Sequence, residues 1–268
     1  MKNVLDEIIS SKKKEVTQLK NLFPREMLMQ GKLFGRNCIS LKKKLSEEGA
    51  SGIIAEFKQK SPSKGVINCT VKVDEVTRDY IKAGASGLSV LTDFDFFGGT
   101  IINLVKARMA NPYSPVLRKD FVVDPYQIFE AKAYGADVIL LIAACLSKEE
   151  VHLLAGQAKE LGLEVLIELH EKAELEKISP LVDLVGVNNR NLKTLQVDVE
   201  TSLHLAPLIP EKFTRISESG LMSPEIICTL RKAGYVGFLI GEAFMKHKDP
   251  GKACAGFIGA LKSGFDYC

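Results

Sequence analysis

The feature that most constrains this chain is an alternation of short β-rich runs with helical stretches, repeated eight times after Gly49. Several of the runs are nearly continuously apolar, as parallel strands covered by helices are. Because no second sheet-like region is left over, eight such units favour a closed (β/α)8 TIM barrel over an open doubly wound sheet. The predicted strands are 51–58, 87–92, 115–121, 137–142, 164–169, 184–189, 214–219 and 237–241.

A helical extension precedes the barrel. Apolar residues between Val4 and Leu45 recur at helical spacing among many lysines, a pattern typical of amphipathic helices. We therefore divide the 268 residues into an N-terminal helical extension, 1–48, and a catalytic barrel, 49–268. The length suits a single barrel domain.

The charge and hydropathy patterns exclude two classes of partner. The 36 basic and 33 acidic residues are spread along the chain and leave a net charge of +3, so no basic face for nucleic acid is predicted. The lysine runs 12–14 and 42–44 are interpreted as solvated helix faces without chemistry. The most apolar stretch, 136–146, is shorter than the roughly 20 residues of a membrane helix, so no membrane span is predicted.

The cysteines and histidines predict no metal site. Six cysteines lie far apart without a Cys-x-x-Cys pair, and the four histidines show no ligand spacing. We interpret the cysteines as reduced thiols. Because the N-terminus also lacks the long apolar segment of a secretory signal, we expect a cytoplasmic protein.

Charged and amide side chains end several of the predicted strands. Glu56 and Lys58 lie two residues apart and therefore on one face of the first strand. Lys119, Glu168 and Asn188 end the third, fifth and sixth strands. Chemistry in such barrels gathers at the carboxyl ends of the strands, and a lysine beside a glutamate there suits proton transfer to and from carbon. For any single residue, a salt-bridged layer without a catalytic role is the alternative.

Small residues near three strand ends indicate an anion site. Ser219, Gly220 and Gly241 follow the last two strands, where backbone N–H groups can approach a phosphate closely. Ser61 lies in a turn after the first strand. Ordinary tight turns are the other interpretation of these positions. Phe97, in the loop after the second strand, either stacks on an aryl substrate or caps the barrel top.

Six blocks of the sequence, taken together, resemble the indole-3-glycerol-phosphate synthase family. They are IAEFKQKSPS at 54–63, SVLT at 89–92, FGG at 97–99, LRKDF at 117–121, GVNNRNL at 186–192 and SESG at 217–220, in family order. The resemblance spans essentially the whole barrel. It implies a reaction without cofactor or metal, in which 1-(2-carboxyphenylamino)-1-deoxyribulose 5-phosphate condenses and loses carbon dioxide and water to give indole-3-glycerol phosphate.

The resemblance also implies catalytic roles. Lys119 matches a general acid that acts on the substrate carbonyl, and Glu168 matches a carboxylate that takes part in dehydration. Lys58 is expected to meet the substrate carboxylate and to share acid duties, while Glu56 and Asn188 orient the lysines and the developing hydroxyls. Burial and the neighbouring Lys58 are expected to lower the pKa of Lys119 and so make it a better acid.

Binding positions follow in the same way. The phosphate region is matched by Ser61, Ser219, Gly220 and Gly241, and the aryl and mouth positions by Phe97 and Arg190. Glu242 stands where some members of the family carry a serine, so backbone N–H groups are expected to carry the phosphate contact there. The N-terminal segment resembles helices that pack over the barrel mouth in that family.

Two other functions stay open at this point. One is another phosphate-binding barrel, such as phosphoribosylanthranilate isomerase or the tryptophan synthase alpha subunit, which would need different acid–base residues. The other is a non-catalytic barrel that docks enzymes of tryptophan biosynthesis, which would be expected to lose the lysines at the mouth. Contact with other enzymes of that pathway is compatible with the catalytic function as well.

Overall fold

Eight parallel strands close into a barrel in the computed structural model, which describes residues 4–192 and 194–264. The strands are β1 (Ile53–Phe57), β2 (Gly87–Leu91), β3 (Val116–Lys119), β4 (Val138–Ile142), β5 (Glu164–Leu169), β6 (Leu184–Asn188), β7 (Thr214–Glu218) and β8 (Gly237–Ile240). Strand β1 pairs with both β2 and β8, so the barrel has no open edge. Every strand lies within its predicted range, and the predicted (β/α)8 barrel is confirmed.

The helices either precede the barrel in the sequence or follow its strands. They are α1 (Val4–Leu22), α2 (Arg25–Met29), α3 (Leu41–Leu45), α4 (Val73–Lys82), α5 (Ile101–Ala110), α6 (Tyr126–Ala133), α7 (Lys148–Glu160), α8 (Glu200–Leu205), α9 (Pro224–Lys232), α10 (Glu242–Met245) and α11 (Pro250–Ser263). The connection after β5 contains the 3-10 helix Lys172–Lys177 instead of an α-helix. Among the described residues, no helix combines the length and apolar character needed to cross a membrane.

A short hairpin follows β1. Its two strands, Lys60–Ser61 and Gly65–Val66, pair antiparallel and raise the loop after β1 above the barrel end. The sequence pattern predicts the turn but not the strands, because two residues are too few to show a β period. The hairpin brings Ser61 to the same end of the barrel as the carboxyl ends of the strands.

Helix α3 closes the opposite end of the barrel. Leu41 and Leu45 are buried against the aliphatic side chains that fill the barrel interior. The side chains of these two leucines fit because Gly87 and Gly237 begin the adjacent strands, where a Cβ atom would lie 2.6 Å from Leu41 and 3.2 Å from Leu45. Glu164 caps this helix by accepting hydrogen bonds from the backbone N–H groups of Leu41, at 2.8 Å, and of Lys42. Helix α3 therefore closes the amino-terminal end of the barrel with buried leucine side chains.

Two expectations from the sequence are wrong in this structure. Lys12 does not lie on a solvated helix face, since its side chain is only 1% exposed, whereas the neighbouring Lys13 and Lys14 are exposed. Cys228 is disulfide-bonded, so the expectation of reduced thiols throughout fails there. Cys268 lies outside the described residues, and Cys38, Cys69, Cys145 and Cys254 are free.

A buried ion pair ties α5 to the amino-terminal end of β4. The guanidinium of Arg108 contacts the carboxylate of Asp137, and both side chains are at most 2% exposed. Asp137 also accepts hydrogen bonds from the backbone N–H groups of Ile39 and Val116, each at 2.8 Å. Asp137 also contacts Nη1 of Arg36 at 2.8 Å, whereas Arg108 has Asp137 as its one ion-pair partner among the described residues. The buried guanidinium of Arg108 therefore depends on this carboxylate to compensate its desolvation.

Removing the carboxylate should therefore destabilise the fold without touching the barrel mouth. We expect Asp137→Ala to lower the free energy of unfolding by about 3–5 kcal/mol, because Arg108 would be left buried and unpaired. Urea unfolding followed by circular dichroism measures this. The matched control Glu75→Ala removes an exposed carboxylate of α4 and should change stability by less than about 0.5 kcal/mol. Equal losses in the two variants would contradict the role of the pair.

Candidate active site

One cleft lies at the carboxyl ends of the barrel strands, with an empty volume of about 1210 Å³ including its open mouth. It is lined by every one of the site residues predicted from the sequence: Glu56, Lys58, Ser61, Phe97, Lys119, Glu168, Asn188, Arg190, Ser219, Gly220 and Gly241. These side chains come from distant parts of the chain and meet because each follows or ends a strand of the same barrel. Helix α1 adds Leu5 and Ile8 to the wall.

Lys119 lies at the centre of the polar half of the cleft. Its Nζ contacts the carboxylate of Glu168 and lies 3.2 Å from Oε2 of Glu218. Burial by itself would lower the pKa of Lys119, but the carboxylates of Glu168, Glu218 and Glu56 outweigh it and raise the pKa above its ordinary value. The expectation that burial and Lys58 would make Lys119 more acidic is therefore wrong, because the carboxyl groups of Glu168, Glu218 and Glu56 surround this lysine.

Glu168 is held in the ionised form. Its side chain is 3% exposed, and although burial raises the pKa, the ammonium of Lys119 holds the pKa well below its usual range. Asn188 donates a hydrogen bond of 3.0 Å from Nδ2 to Oε1 of Glu168. The imidazole Nε2 of His170 lies 3.2 Å from the same oxygen. One oxygen of Glu168 therefore contacts Lys119, while the other accepts a hydrogen bond from Asn188 and lies beside the imidazole of His170.

His170 belongs to this cluster, although the sequence analysis assigned it no role. Its ring lies between Glu168 and Glu174, with Nδ1 3.7 Å from Oε2 of Glu174. Burial lowers the pKa of His170, but the two carboxylates outweigh burial and raise it to about 9. A protonated His170 therefore balances part of the negative charge around Lys119 at neutral pH.

Glu218 also lines the cleft, although the sequence analysis quoted it in a motif and left it without a role. It ends β7 directly beside Asn188 of β6, and it is 1% exposed. Burial, together with the charge of Glu168, raises its pKa to about 8. Its Oε1 has no hydrogen-bond partner among the described residues. The signal was available, because Glu218 lies at the carboxyl end of a predicted strand, as Glu168 does.

Glu56 and Lys58 form a second pair on one face of β1, as their spacing predicts. Lys58 Nζ lies 2.6 Å from Oε1 of Glu56, and the lysine side chain is 20% exposed toward the cleft. The carboxylate of Glu56 fits against the backbone of Gly241, where a Cβ atom would lie only 2.4 Å from Oε1. Gly241 is therefore required by the position of Glu56, independently of any ligand.

The backbone turns sharply after β7. Ser219 and Gly220 have φ values of 68° and 76°, in the left-handed region. Glycine adopts this conformation freely, but at Ser219 it costs about 1–3 kcal/mol and persists only where surrounding contacts impose it. Here Asn189 donates a hydrogen bond of 3.0 Å to the carbonyl of Ser219. Strained backbone of this kind is concentrated at ligand sites.

The cleft also has an apolar wall. The rings of Phe97 and Phe121 pack with centroids 6.0 Å apart, and Ile142 lies on the same side of the cleft as part of its lining. Arg190 lines the mouth, where its Nη1 donates to the carbonyl of Leu195 at 3.0 Å and its Nη2 lies 3.8 Å from Glu242. The cleft therefore combines an aromatic surface with a cluster of acid–base groups.

Such a cleft has the features of the active site of a barrel enzyme that performs acid–base chemistry. The family model for indole-3-glycerol phosphate synthase matches residues 5–257. The chain therefore belongs to the indole-3-glycerol phosphate synthase family, which makes it a carbon–carbon lyase of the carboxy-lyase class. Within the described residues, no group of three or more His, Cys, Asp or Glu side chains is arranged to hold a metal ion.

Relatives of known name support this membership over the full chain. An indole-3-glycerol phosphate synthase of Bacteroides thetaiotaomicron is 46% identical over 98% of this chain and all of that protein. One of Polaromonas naphthalenivorans is 40% identical, over 97% of this chain and all of that protein. Identity at this level assigns the chain to this family and not to the isomerase or the alpha subunit considered from the sequence.

Solved structures show the fold alone. A 3-hexulose-6-phosphate synthase from Salmonella typhimurium matches with a TM-score of 0.62 at 13% identity, covering 79% of this chain and 98% of that one. A tryptophan synthase subunit alpha from Legionella pneumophila matches with a TM-score of 0.61 at 14% identity, covering 85% of this chain and 98% of that one. These likenesses confirm the barrel and carry no functional argument.

The electrostatics of the cleft make a prediction for Glu218. Because its pKa is raised to about 8, this carboxyl group should stay protonated at neutral pH and ionise only as the pH rises through that value. We expect a ¹³C NMR titration of glutamate carboxyl groups to show a resonance that shifts near pH 8 and is absent from the Glu218→Gln variant. If the resonance lost in that variant titrates near pH 4 instead, the described environment of Glu218 is wrong.

Proposed function

We propose that this chain closes the indole ring of 1-(2-carboxyphenylamino)-1-deoxyribulose 5-phosphate and releases carbon dioxide, water and indole-3-glycerol phosphate. The observation that carries this proposal is the position of Lys119 between the carboxyl groups of Glu168 and Glu218, in a cleft that also has an aromatic wall. The family assignment supports the same reaction. The conversion rearranges bonds without net oxidation or reduction, so we propose that it proceeds without a cofactor or a metal.

Lys119 acts as the general acid in this proposal. When the aryl carbon attacks the carbonyl carbon of the sugar, the carbonyl oxygen gains negative charge. An alkoxide is more basic than a lysine amine, so the proton moves downhill from Lys119 as the charge develops, even though its pKa is raised. The charged ammonium stabilises the transition state more than the ground state, in which the oxygen is nearly neutral. Loss of carbon dioxide then restores the aromatic ring.

Glu168 acts as the base in the dehydration step. Its pKa lies well below the usual range, and one of its oxygens accepts a hydrogen bond from Asn188 and lies 3.2 Å from His170 Nε2, which orients the carboxylate. Glu218, which lines the cleft and whose pKa is raised to about 8, donates a proton to the departing hydroxyl in this proposal. Two carboxyl groups with separated pKa values thus divide the roles of base and acid.

The remaining residues bind and orient the substrate. Lys58 meets the substrate carboxylate, and Glu56 holds that lysine in place through the contact of 2.6 Å. Phe97 lies against the aryl ring, with Arg190 at the mouth. The phosphate group is assigned to the region of Ser61, Ser219, Gly220 and Gly241.

The distribution of charge along the chain bears on its partners. With a net charge of +3 spread along the chain, we propose a small-molecule substrate and no nucleic-acid or membrane partner. A cytoplasmic location is proposed, as are contacts with other enzymes of tryptophan biosynthesis. The division of the chain into an extension, 1–48, and a barrel, 49–268, stays a prediction of the sequence analysis.

The activity is measured directly by fluorescence, because the chain has no tryptophan and six tyrosines. Wild-type protein in metal-free buffer should produce an indole signal from the carboxyphenylamino-deoxyribulose phosphate. We expect Lys119→Met and Glu168→Gln each to lower kcat by at least about 100-fold, the usual contribution of a positioned acid or base.

Lys148→Met is the matched control for Lys119→Met, since Lys148 is an exposed lysine on the outer helix α7. It should retain wild-type turnover. Circular dichroism confirms that each variant is folded. A folded wild-type protein without an indole signal would refute the proposed reaction, and a Lys119→Met variant with near-normal kcat would refute the role of the lysine alone.

A further inference from the structure

One lysine of the N-terminal run is buried between the extension and the barrel. Lys12 projects from α1, and its Nζ lies 3.0 Å from Oδ2 of Asp93 and 3.0 Å from Oδ1 of Asp120. It also donates to Glu15 of its own helix at 2.8 Å. Its side chain is 1% exposed and those of the two aspartates at most 3%. The lysine therefore joins α1 to the ends of two neighbouring strands.

Asp93 organises the loop that carries Phe97. Its Oδ1 accepts a hydrogen bond of 2.9 Å from the backbone N–H of Phe96, and its carbonyl accepts one of 2.7 Å from Gly99. Within the described part of the chain, Lys12 is the one cation in ion-pair contact with Asp93. Without Lys12 this carboxylate would be buried and unpaired, a state that costs several kcal/mol unless the group takes up a proton or moves.

Asp120 positions Phe121, the second ring of the aromatic wall. Its Oδ1 accepts a hydrogen bond of 2.8 Å from the backbone N–H of Phe121. Its Oδ2 accepts from Thr92 at 2.6 Å and from Arg118 at 3.0 Å. Because Arg118 remains, Asp120 keeps a positive partner when Lys12 is removed. The loss should therefore fall mainly on the loop 93–99.

We propose that Lys12 is a positioning residue of the active site, which acts through Asp93 and Asp120 to set the spacing of Phe97 and Phe121. The inference rests on the proposed function, in which this wall holds the aryl ring of the substrate. Lys12 stays charged throughout the working pH range, because Asp120 and Asp93 raise its pKa despite its burial. The N-terminal extension thus contributes to the site through the contacts of Lys12 with Asp93 and Asp120, and Lys12 itself does not touch the substrate.

The proposal predicts a separation of KM from kcat. The wall contacts the aryl ring equally in the ground state and the transition state, whereas Lys119, Glu168 and Glu218 are held by strands and by one another. Lys12→Met should therefore raise the KM for the substrate about tenfold and change kcat by less than about threefold. Lys13→Met, which removes the exposed lysine next in sequence, should leave both constants unchanged.

Amide hydrogen exchange gives a readout that does not depend on turnover. In Lys12→Met the backbone N–H of Phe96 should exchange faster, since it is bonded to Asp93, which loses its ion-pair partner. The backbone N–H of Phe121 should change less, because Asp120 keeps its contact with Arg118. In Lys13→Met they should exchange as in the wild type. If the wild type shows no turnover, the proposed function fails while the exchange experiment still tests the role of Lys12.

A second variant covers the case in which Lys12→Met does not fold. Asp93→Asn removes the same tie from the loop while Lys12 keeps its contacts with Asp120 and Glu15. Asp93→Asn should also raise KM, by a smaller factor than Lys12→Met does. The inference is overturned if Lys12→Met matches Lys13→Met in KM and in exchange, if its loss appears in kcat with KM unchanged, or if Asp93→Asn leaves KM at the wild-type value.

Discussion

A single ammonium group shared by buried carboxylates organises the mouth of this barrel. Lys119 neutralises Glu168 and lies 3.2 Å from Glu218. These two buried carboxyl groups would repel each other if both were ionised. The arrangement divides the carboxyl groups into an ionised one and a protonated one, with pKa values on opposite sides of neutrality. Such a pair of environments is what allows one site to supply both a base and an acid at the same pH.

The carboxyl groups fit into the cleft because glycines lie beside them, Gly186 within β6 and Gly241 directly after β8. A Cβ atom at Gly186 would lie 2.5 Å from Oε1 of Glu218, and one at Gly241 would lie 2.4 Å from Oε1 of Glu56. The other end of the barrel shows the opposite use of glycine, since Gly87 and Gly237 admit the leucines of α3. Packing at that end supports the fold, and the open cleft at the carboxyl end is left for chemistry.

Much of the site was predictable because the barrel itself brings strand ends together. Glu168 and Asn188 could be selected from the sequence by their place at the end of an apolar run, and the structure puts them 3.0 Å apart. The direction of the pKa shift at Lys119 was not predictable in this way. It depends on distances between side chains of different strands, which no spacing along the chain encodes. The burial of Lys12 had a signal in the sequence, since Leu5, Ile8, Lys12 and Val16 follow at spacings of three or four residues and so share one face of α1. The aspartates that pair with it come from other strand ends and could not be identified from that spacing.

The chemistry of this cleft depends on Lys119 being charged among its carboxyl groups. A ¹⁵N NMR titration of the lysine side chains, with the Lys119 signal assigned by its absence from Lys119→Met, measures that charge directly. We expect Lys119 Nζ to remain an ammonium group up to pH values above the ordinary lysine pKa of 10.5, because the surrounding carboxylates outweigh burial. Deprotonation of Lys119 below the pH at which the exposed lysines titrate would contradict it.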